Sequence, residues 1–137
     1  ADVVAKSAPD GSNLLVSFTS HTINASLYKK LPFDPVADFT PLTLLSTSTS
    51  VLVVNPEQPF RSVAELIAYA KKNPGALNYG SAGNGSSGHL AMAYIALTAG
   101  FTATHVPYKG NAPAMTDVIG GQVPLMYAEA RSGQGSR

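Results

Sequence analysis

Short apolar runs alternate with segments of helical period along this chain. Residues 13–18, with Leu14-Leu15-Val16 at their centre, have the length and composition of a strand. So do residues 41–46, with Leu42, Leu44 and Leu45, and the run Val51-Leu52-Val53-Val54. Between the last two lies a Ser/Thr tract with no helix signal. Residues 1–8 have helical composition and stop at the breaker cluster Pro9-Asp10-Gly11. A polar loop at residues 19–22 follows the first strand, Asn24 is placed to cap a helix through Leu31, and Pro32 and Pro35 force an extended connector.

The second half is more regular. Ser62-Val63-Ala64-Glu65 reads as a capping box, with the Ser62 hydroxyl accepting from the Glu65 amide and Glu65 reaching back. Val63, Leu66, Ile67 and Ala70 then recur at helical spacing until Asn73-Pro74-Gly75. Strands are expected at residues 77–79, 102–106 and 123–127, and helices at 89–99 and 112–119, stopped by Gly100 and by Gly120-Gly121. Strand, helix, strand, helix, strand at short spacing implies parallel pairing with right-handed crossovers, an α/β layer fold.

Composition narrows the function. The chain has 137 residues, a formal net charge of +1 and only 12% charged residues, while Ser and Thr together number 24. A near-neutral chain with no Lys/Arg cluster does not carry the footprint of a nucleic-acid binder. No apolar run approaches the roughly 18 residues needed to span a bilayer. The lack of cysteine excludes disulfides, thiolate metal sites and cysteine nucleophiles. The three histidines are spread without metal-ligand spacing, so neither a metal nor another cofactor is expected. Residues 1–6 lack the charged-then-apolar pattern of a signal peptide, so a targeting segment is not expected within this chain.

Three constellations can carry chemistry. The Gly/Ser-rich stretch from Gly80 to Gly88 lies between a strand and a helix, which in an open α/β sheet is the carboxyl edge where ligands bind. Its glycines let backbone amides approach a ligand, Ser86 or Ser87 can cap the helix, and the free N–H groups of that helix suit an anion. The spacing is neither that of a phosphate-binding loop nor that of a dinucleotide fingerprint, and a plain capping loop is the alternative. Tyr108-Lys109-Gly110-Asn111 sits in the equivalent place after the next strand. Two helix N-termini on one sheet edge suit a small carboxylate; Lys109 is either a ligand or solvated, and Tyr108 either a ligand or a packing residue. Ser17, Thr19, Ser20, His21 and Thr22 cluster hydroxyls at a strand end, which can hold a carboxylate or simply satisfy a local turn. Ser86 or Ser87 with a histidine and Asp117 or Glu129 would be needed for serine catalysis, but the string Gly85-Ser86-Ser87-Gly88 is not a nucleophile elbow.

The ordered strings Ala8-Pro9-Asp10-Gly11, Leu14-Leu15-Val16-Ser17, Ser20-His21-Thr22-Ile23-Asn24 and Leu31-Pro32-Phe33-Asp34-Pro35 closely resemble the Bug/TctC family of extracytoplasmic solute receptors of tripartite tricarboxylate transporters. So do Leu77-Asn78-Tyr79 running into Gly80 to Leu90, His105-Val106-Pro107-Tyr108-Lys109-Gly110, and Gly120-Gly121-Gln122-Val123. The resemblance covers residues 1–127. It implies a type II periplasmic-binding-protein-like α/β fold, an open sheet with parallel β-α units in two lobes that close on a small carboxylic acid. The receptor then hands this ligand to a membrane permease. By the same resemblance, residues 1–48 form part of the first lobe and 49–127 most of the second. The chain would cross between lobes at residues 47–50, and 128–137 form a polar tail outside the family pattern.

Carried over by position, Ser17, Thr19, Ser20 and His21 line one lobe. Gly85, Ser86 and Ser87 line the other, with Tyr108, Lys109 and Gly110 nearby. Family members are about twice as long. Their first strand, with its Pro/Gly-rich ligand loop, would precede Ala1, and their usual acids near the last strand are replaced by Pro124 and Ala128. The two-lobed architecture is therefore expected to be incomplete, with exposed edges covered by self-association. The expected function is non-covalent carboxylate binding in the periplasm. The alternative is a small esterase-type serine hydrolase built on this scaffold, and a third reading is a chain that only assembles.

Overall fold

The computed structural model describes residues 1–130, so residues 131–137, most of the expected polar tail, lie outside it. The chain divides into two compact units, the first being Ala1–Ser46 and the second starting at Thr47.

The first unit contains α1 (Asp2–Ala5) and α2 (Ser20–Leu27), and none of its residues is fully buried. The strands expected at residues 13–18 and 41–46 do not form. A strand needs a neighbour to receive its N–H and C=O groups, and the unit has no sheet. Their apolar side chains stay exposed, among them Leu14, Val16, Phe18, Leu42, Leu44 and Leu45. The expected polar loop at residues 19–22 is instead the start of α2, with Thr19 at its N-cap, and that helix ends at Leu27 rather than Leu31. Order after α2 comes from an aromatic group. The His21 ring meets Phe39 edge-on at 4.7 Å and stacks at 6.0 Å on Phe33, while its Nε2 bonds the Pro35 carbonyl at 2.9 Å. Beside it the Asp34 carboxylate accepts the Ala37 and Val36 amides, which lower its pKa.

The second unit is a four-stranded sheet: β1 (Thr49–Val54), β2 (Asn78–Ser81), β3 (Thr104–Pro107) and β4 (Leu125–Ala130), in the order β1-β4-β2-β3. The helices are α3 (Val63–Lys72), α4 (Ser87–Ala99) and α5 (Asn111–Ile119). β2 pairs in parallel with both β3 and β4, as the strand-helix alternation predicts. β1 departs from that pattern, since it runs antiparallel to β4, with Val54 opposite Leu125 and Leu52 opposite Tyr127. β4 also continues past Tyr127, so Ala128, Glu129 and Ala130 belong to the sheet rather than to a tail.

The chain moves one way from β2 to β3 and the opposite way from β3 to β4. Crossovers of one hand then put their helices on opposite faces, and the packing agrees. Phe60, Leu66, Ala70, Leu77, Tyr79, Met92 and Leu125 form the core under α3 and α4. Ala114, Val118, Val123, Met126 and Ala128 form the core under α5. β4 serves both layers by alternation, Leu125 and Tyr127 facing one and Met126 and Ala128 the other.

Local signals set the helix ends. The Ser62 hydroxyl accepts the Glu65 amide at 3.2 Å, as the capping box requires, but the Glu65 carboxylate takes the Arg61 amide at 2.6 Å instead of that of Ser62. Glu65 in the first turn and Lys71 and Lys72 in the last complement the helix dipole. At the start of α4, a Cβ on Gly88 would lie 2.5 Å from the Tyr127 carbonyl oxygen. Only glycine lets this helix rest on β4 at that distance. Gly88→Ala is expected to destabilise the protein by roughly 1–3 kcal/mol, the usual cost of overpacking a fitted contact, measured as a lower urea midpoint with an unchanged slope.

Candidate functional site

Because β2, β3 and β4 are parallel, their carboxyl ends share one edge of the sheet, and α4 and α5 both begin there. The turn between β2 and α4 is built from its own backbone and hydroxyls. Ser81, fully buried at the end of β2, accepts the Gly83 amide at 3.1 Å and lies 3.0 Å from the Gly83 carbonyl. Ser86 is the N-cap of α4: it accepts the His89 amide at 3.3 Å and donates to the Gly83 carbonyl at 2.8 Å. Gly83 at φ +127° and Gly85 at φ +74° turn the chain through conformations that favour glycine.

The β3–α5 loop touches this turn. The Tyr108 amide donates to the Ser81 carbonyl at 3.0 Å, and a Cβ on Gly83 would meet the Tyr108 carbonyl oxygen at 3.2 Å. Gly110, at φ +125°, precedes α5 without a side-chain cap. The structure therefore brings Gly85, Ser86 and Ser87 next to the loop that carries Tyr108, Lys109 and Gly110. The Tyr108 hydroxyl is already committed. It donates to Asp117 Oδ2 at 2.6 Å, and that bond pushes its pKa up to about 12, while its ring packs in the core beside Gly80. Lys109 is exposed.

Ser17, Thr19, Ser20 and His21 lie in the first unit. Ser17 Oγ donates to the Phe18 carbonyl at 3.4 Å, the Thr19 hydroxyl does not cap α2, and Ser20 opens that helix. The His21 Nε2 is engaged by Pro35.

Four side chains give the carboxyl edge a character that residue spacing alone did not convey. The parallel register places Tyr79 opposite His105, and their rings stack at 5.1 Å. His89, two residues into α4, lies over His105 at 4.0 Å and 12°. Its Nδ1 accepts the Gly85 amide at 3.2 Å, and His105 Nε2 meets Ser81 Oγ at 2.7 Å. The fourth is Glu129, whose carboxylate accepts the Ser87 hydroxyl at 3.2 Å. The Ser81–His105 contact has the length of a nucleophile–base pair, but Ser81 is sealed from solvent. Neither Ser86 nor Ser87 has an imidazole partner among the described residues. Nor do the described residues contain a cluster suited to a metal ion.

Burial and then the neighbouring His89 lower the His105 pKa to about 4, against 6.5 for a free imidazole. The unfolded chain thus binds a proton through this interval that the folded chain refuses, and stability falls as pH drops from about 6.5 to about 4. Thermal melts between about pH 7 and about pH 4.5 should show this loss, and His105→Asn should reduce its slope.

Over residues 1–135 the chain matches the sequence profile described as Tripartite tricarboxylate transporter family receptor, so the match continues past Tyr127. It is 40% identical over 132 residues to the UPF0065 protein in the tcbD-tcbE intergenic region of Pseudomonas sp. (strain P51), covering 96% of this chain and 39% of that protein. To Protein BugT of Bordetella pertussis it is 34% identical over 141 residues, covering 96% and 43%. The chain spans about two fifths of the length of these relatives. Among solved structures, R. palustris Rpa4515 with adipate superposes with a TM-score of 0.84 at 36% identity, over 93% of this chain and 43% of that one. MatC from Rhodopseudomonas palustris with bound malate gives 0.81 at 30%, over 93% and 44%. The mixed sheet with its parallel β-α units is thus the α/β fold of periplasmic binding proteins, present in part, and the chain belongs to the TctC family of tripartite tricarboxylate transporter receptors.

Proposed function

We propose that this chain is part of a periplasmic solute-binding receptor that holds a small carboxylate without covalent chemistry and delivers it to the membrane permease of a tripartite tricarboxylate transporter. The observation that carries this reading is the Gly83–Ser86 turn opening α4 beside the uncapped start of α5, at the shared carboxyl edge of three parallel strands. Backbone N–H groups there suit an anion without a cluster of fixed positive charge. Two related proteins solved with adipate and with malate support dicarboxylates as the ligand class.

In this reading Gly85, Ser86 and Ser87 line the ligand: His89 Nδ1 holds the Gly85 amide and the Gly83 carbonyl holds the Ser86 amide, which leaves the Ser87 amide at the start of α4 to meet the anion. Gly110 and Lys109 flank the ligand, and Tyr108 contributes through its backbone, since Asp117 holds its hydroxyl. Ser17, Thr19, Ser20 and His21 are, by the family resemblance, ligand groups of the first unit's own lobe. Adipate or malate is expected to raise the melting temperature of the chain, because a ligand that binds only the folded state stabilises it. Gly83→Ala, which forces a side chain into a left-handed turn and against Tyr108, should abolish that rise while leaving the far-ultraviolet circular dichroism unchanged. A wild-type melting temperature indifferent to both acids would overturn the reading.

We also propose that the chain self-associates. Leu42, Leu44 and Leu45 in the first unit and Tyr94 and Leu97 on α4 in the second are large apolar side chains left 68–80% exposed, and such surface is normally covered. Sedimentation equilibrium should give a mass that rises with concentration, and a constant monomer mass would rule this out.

A further inference from the structure

The turn that carries the candidate site depends on one imidazole nitrogen. The Gly85 amide, in the middle of the turn, donates to His89 Nδ1 at 3.2 Å, and Gly85 is buried. An imidazole nitrogen accepts only when it carries no proton, so this bond places the proton of neutral His89 on Nε2. Protonating the ring puts an N–H at Nδ1, directly facing the N–H of Gly85. Two donors then oppose each other, and a buried amide loses its partner, a loss that structures strongly resist.

The surroundings amplify this. His105 lies against His89 at 4.0 Å, so a charge on either ring works against a charge on the other. His105 is in turn tied to Ser81, which holds both the amide and the carbonyl of Gly83. The two histidines therefore grip the turn at Gly83 and at Gly85. The other titratable groups on the elements that meet here are Tyr79 on β2, Tyr94 on α4, Tyr127 and Glu129 on β4, the latter through Ser87, and Tyr108 and Lys109 before α5 with Asp117 in its last turn. Tyr79 and Tyr108 have raised pKa values and stay neutral in acid. Glu129 is bonded to Ser87 and not to either imidazole, so no carboxylate among the described residues is bonded to the pair.

We propose that His89 is the positioning residue of the Gly83–Ser86 turn, backed by His105, and that protonation of His89 Nδ1 releases the Gly85 amide and undoes the turn. The turn is set at neutral pH and unset in acid. The latch is a property of the chain without ligand, and only its effect on capture rests on the carboxylate-binding reading above. Applied to that reading, acid weakens dicarboxylate binding by more than protonation of the acid itself accounts for.

The test is an NMR titration of the full chain from about pH 7.5 to about pH 4.5, following the imidazole nitrogens of His89 and His105 and the Gly85 amide. At neutral pH, Nδ1 of His89 should show the shift of an unprotonated acceptor, with the proton on Nε2. As His89 titrates, the Gly85 amide should shift and lose hydrogen-exchange protection in step with it, while Leu125 and Met126 in β4 stay protected. His89→Asn, whose side-chain oxygen can still accept, should keep Gly85 protected across the whole range, and His89→Phe should leave it unprotected at neutral pH. A Gly85 amide indifferent to the His89 titration overturns the proposal, as does a neutral His89 with its proton on Nδ1. If the latch titrates as stated but adipate and malate never bind, the carboxylate reading fails and the latch stands.

Discussion

Helix α4 meets strand β4 through a residue that has no side chain, and the candidate site depends on that contact. With Gly88 seated against the Tyr127 carbonyl, the first turn of α4 is held on the sheet at backbone distance. The residues on either side inherit their positions. Ser87 faces Glu129 at the end of β4, and His89 is carried over His105 on β3. The turn before the helix is then closed from behind by Ser81. Met92, one helical turn on and fully buried, continues the same contact stripe into the core. A helix held a further ångström from the sheet would separate the imidazoles and loosen the Gly83–Ser86 turn.

The candidate site carries few charges. The chain has 12% charged residues, and the turn at the carboxyl edge is built from amides, carbonyls and hydroxyls. Amides fixed by a turn do not have to reorganise when an anion arrives, whereas a lysine must be desolvated and ordered. The polar atoms behind the turn are mostly committed to one another, as with Ser81, Ser86 and the Tyr108–Asp117 pair. What remains available is the outer face of the turn, together with the first amides of α5, which has no side-chain cap.

The sequence made the second unit legible and the first much less so, for a physical reason. Ser62, Gly100 and the Gly/Ser stretch act through the chain next to them, so α3, the end of α4 and the position of the turn could be read directly. Residues 13–18 and 41–46 have strand composition too, but pairing depends on a partner elsewhere, and in the described unit none is present. The helical start at Ser20 was hidden because its hydroxyl-rich sequence suits a turn equally well. At the candidate site, the place of the Gly/Ser stretch between a strand and a helix could be read from the sequence. The Ser81–His105–His89 array was not, because it arises only when the parallel register sets Tyr79 beside His105 and α4 folds back over both. The antiparallel direction of β1 was invisible for a similar reason, since a strand's composition does not encode its sense.

That antiparallel strand also governs the order in which the second unit can assemble. β2, α4 and β3 are neighbours in the chain and can close on one another through short loops, the cheap kind of contact to form early. Of the described strands β1 comes first, and it pairs with β4, the last of them. During synthesis from the N-terminus, Val51 to Val54 therefore emerge well before the strand they pair with in this sheet. For that interval they are the part of this unit most open to wrong partners, and the part a chaperone would gain most by covering.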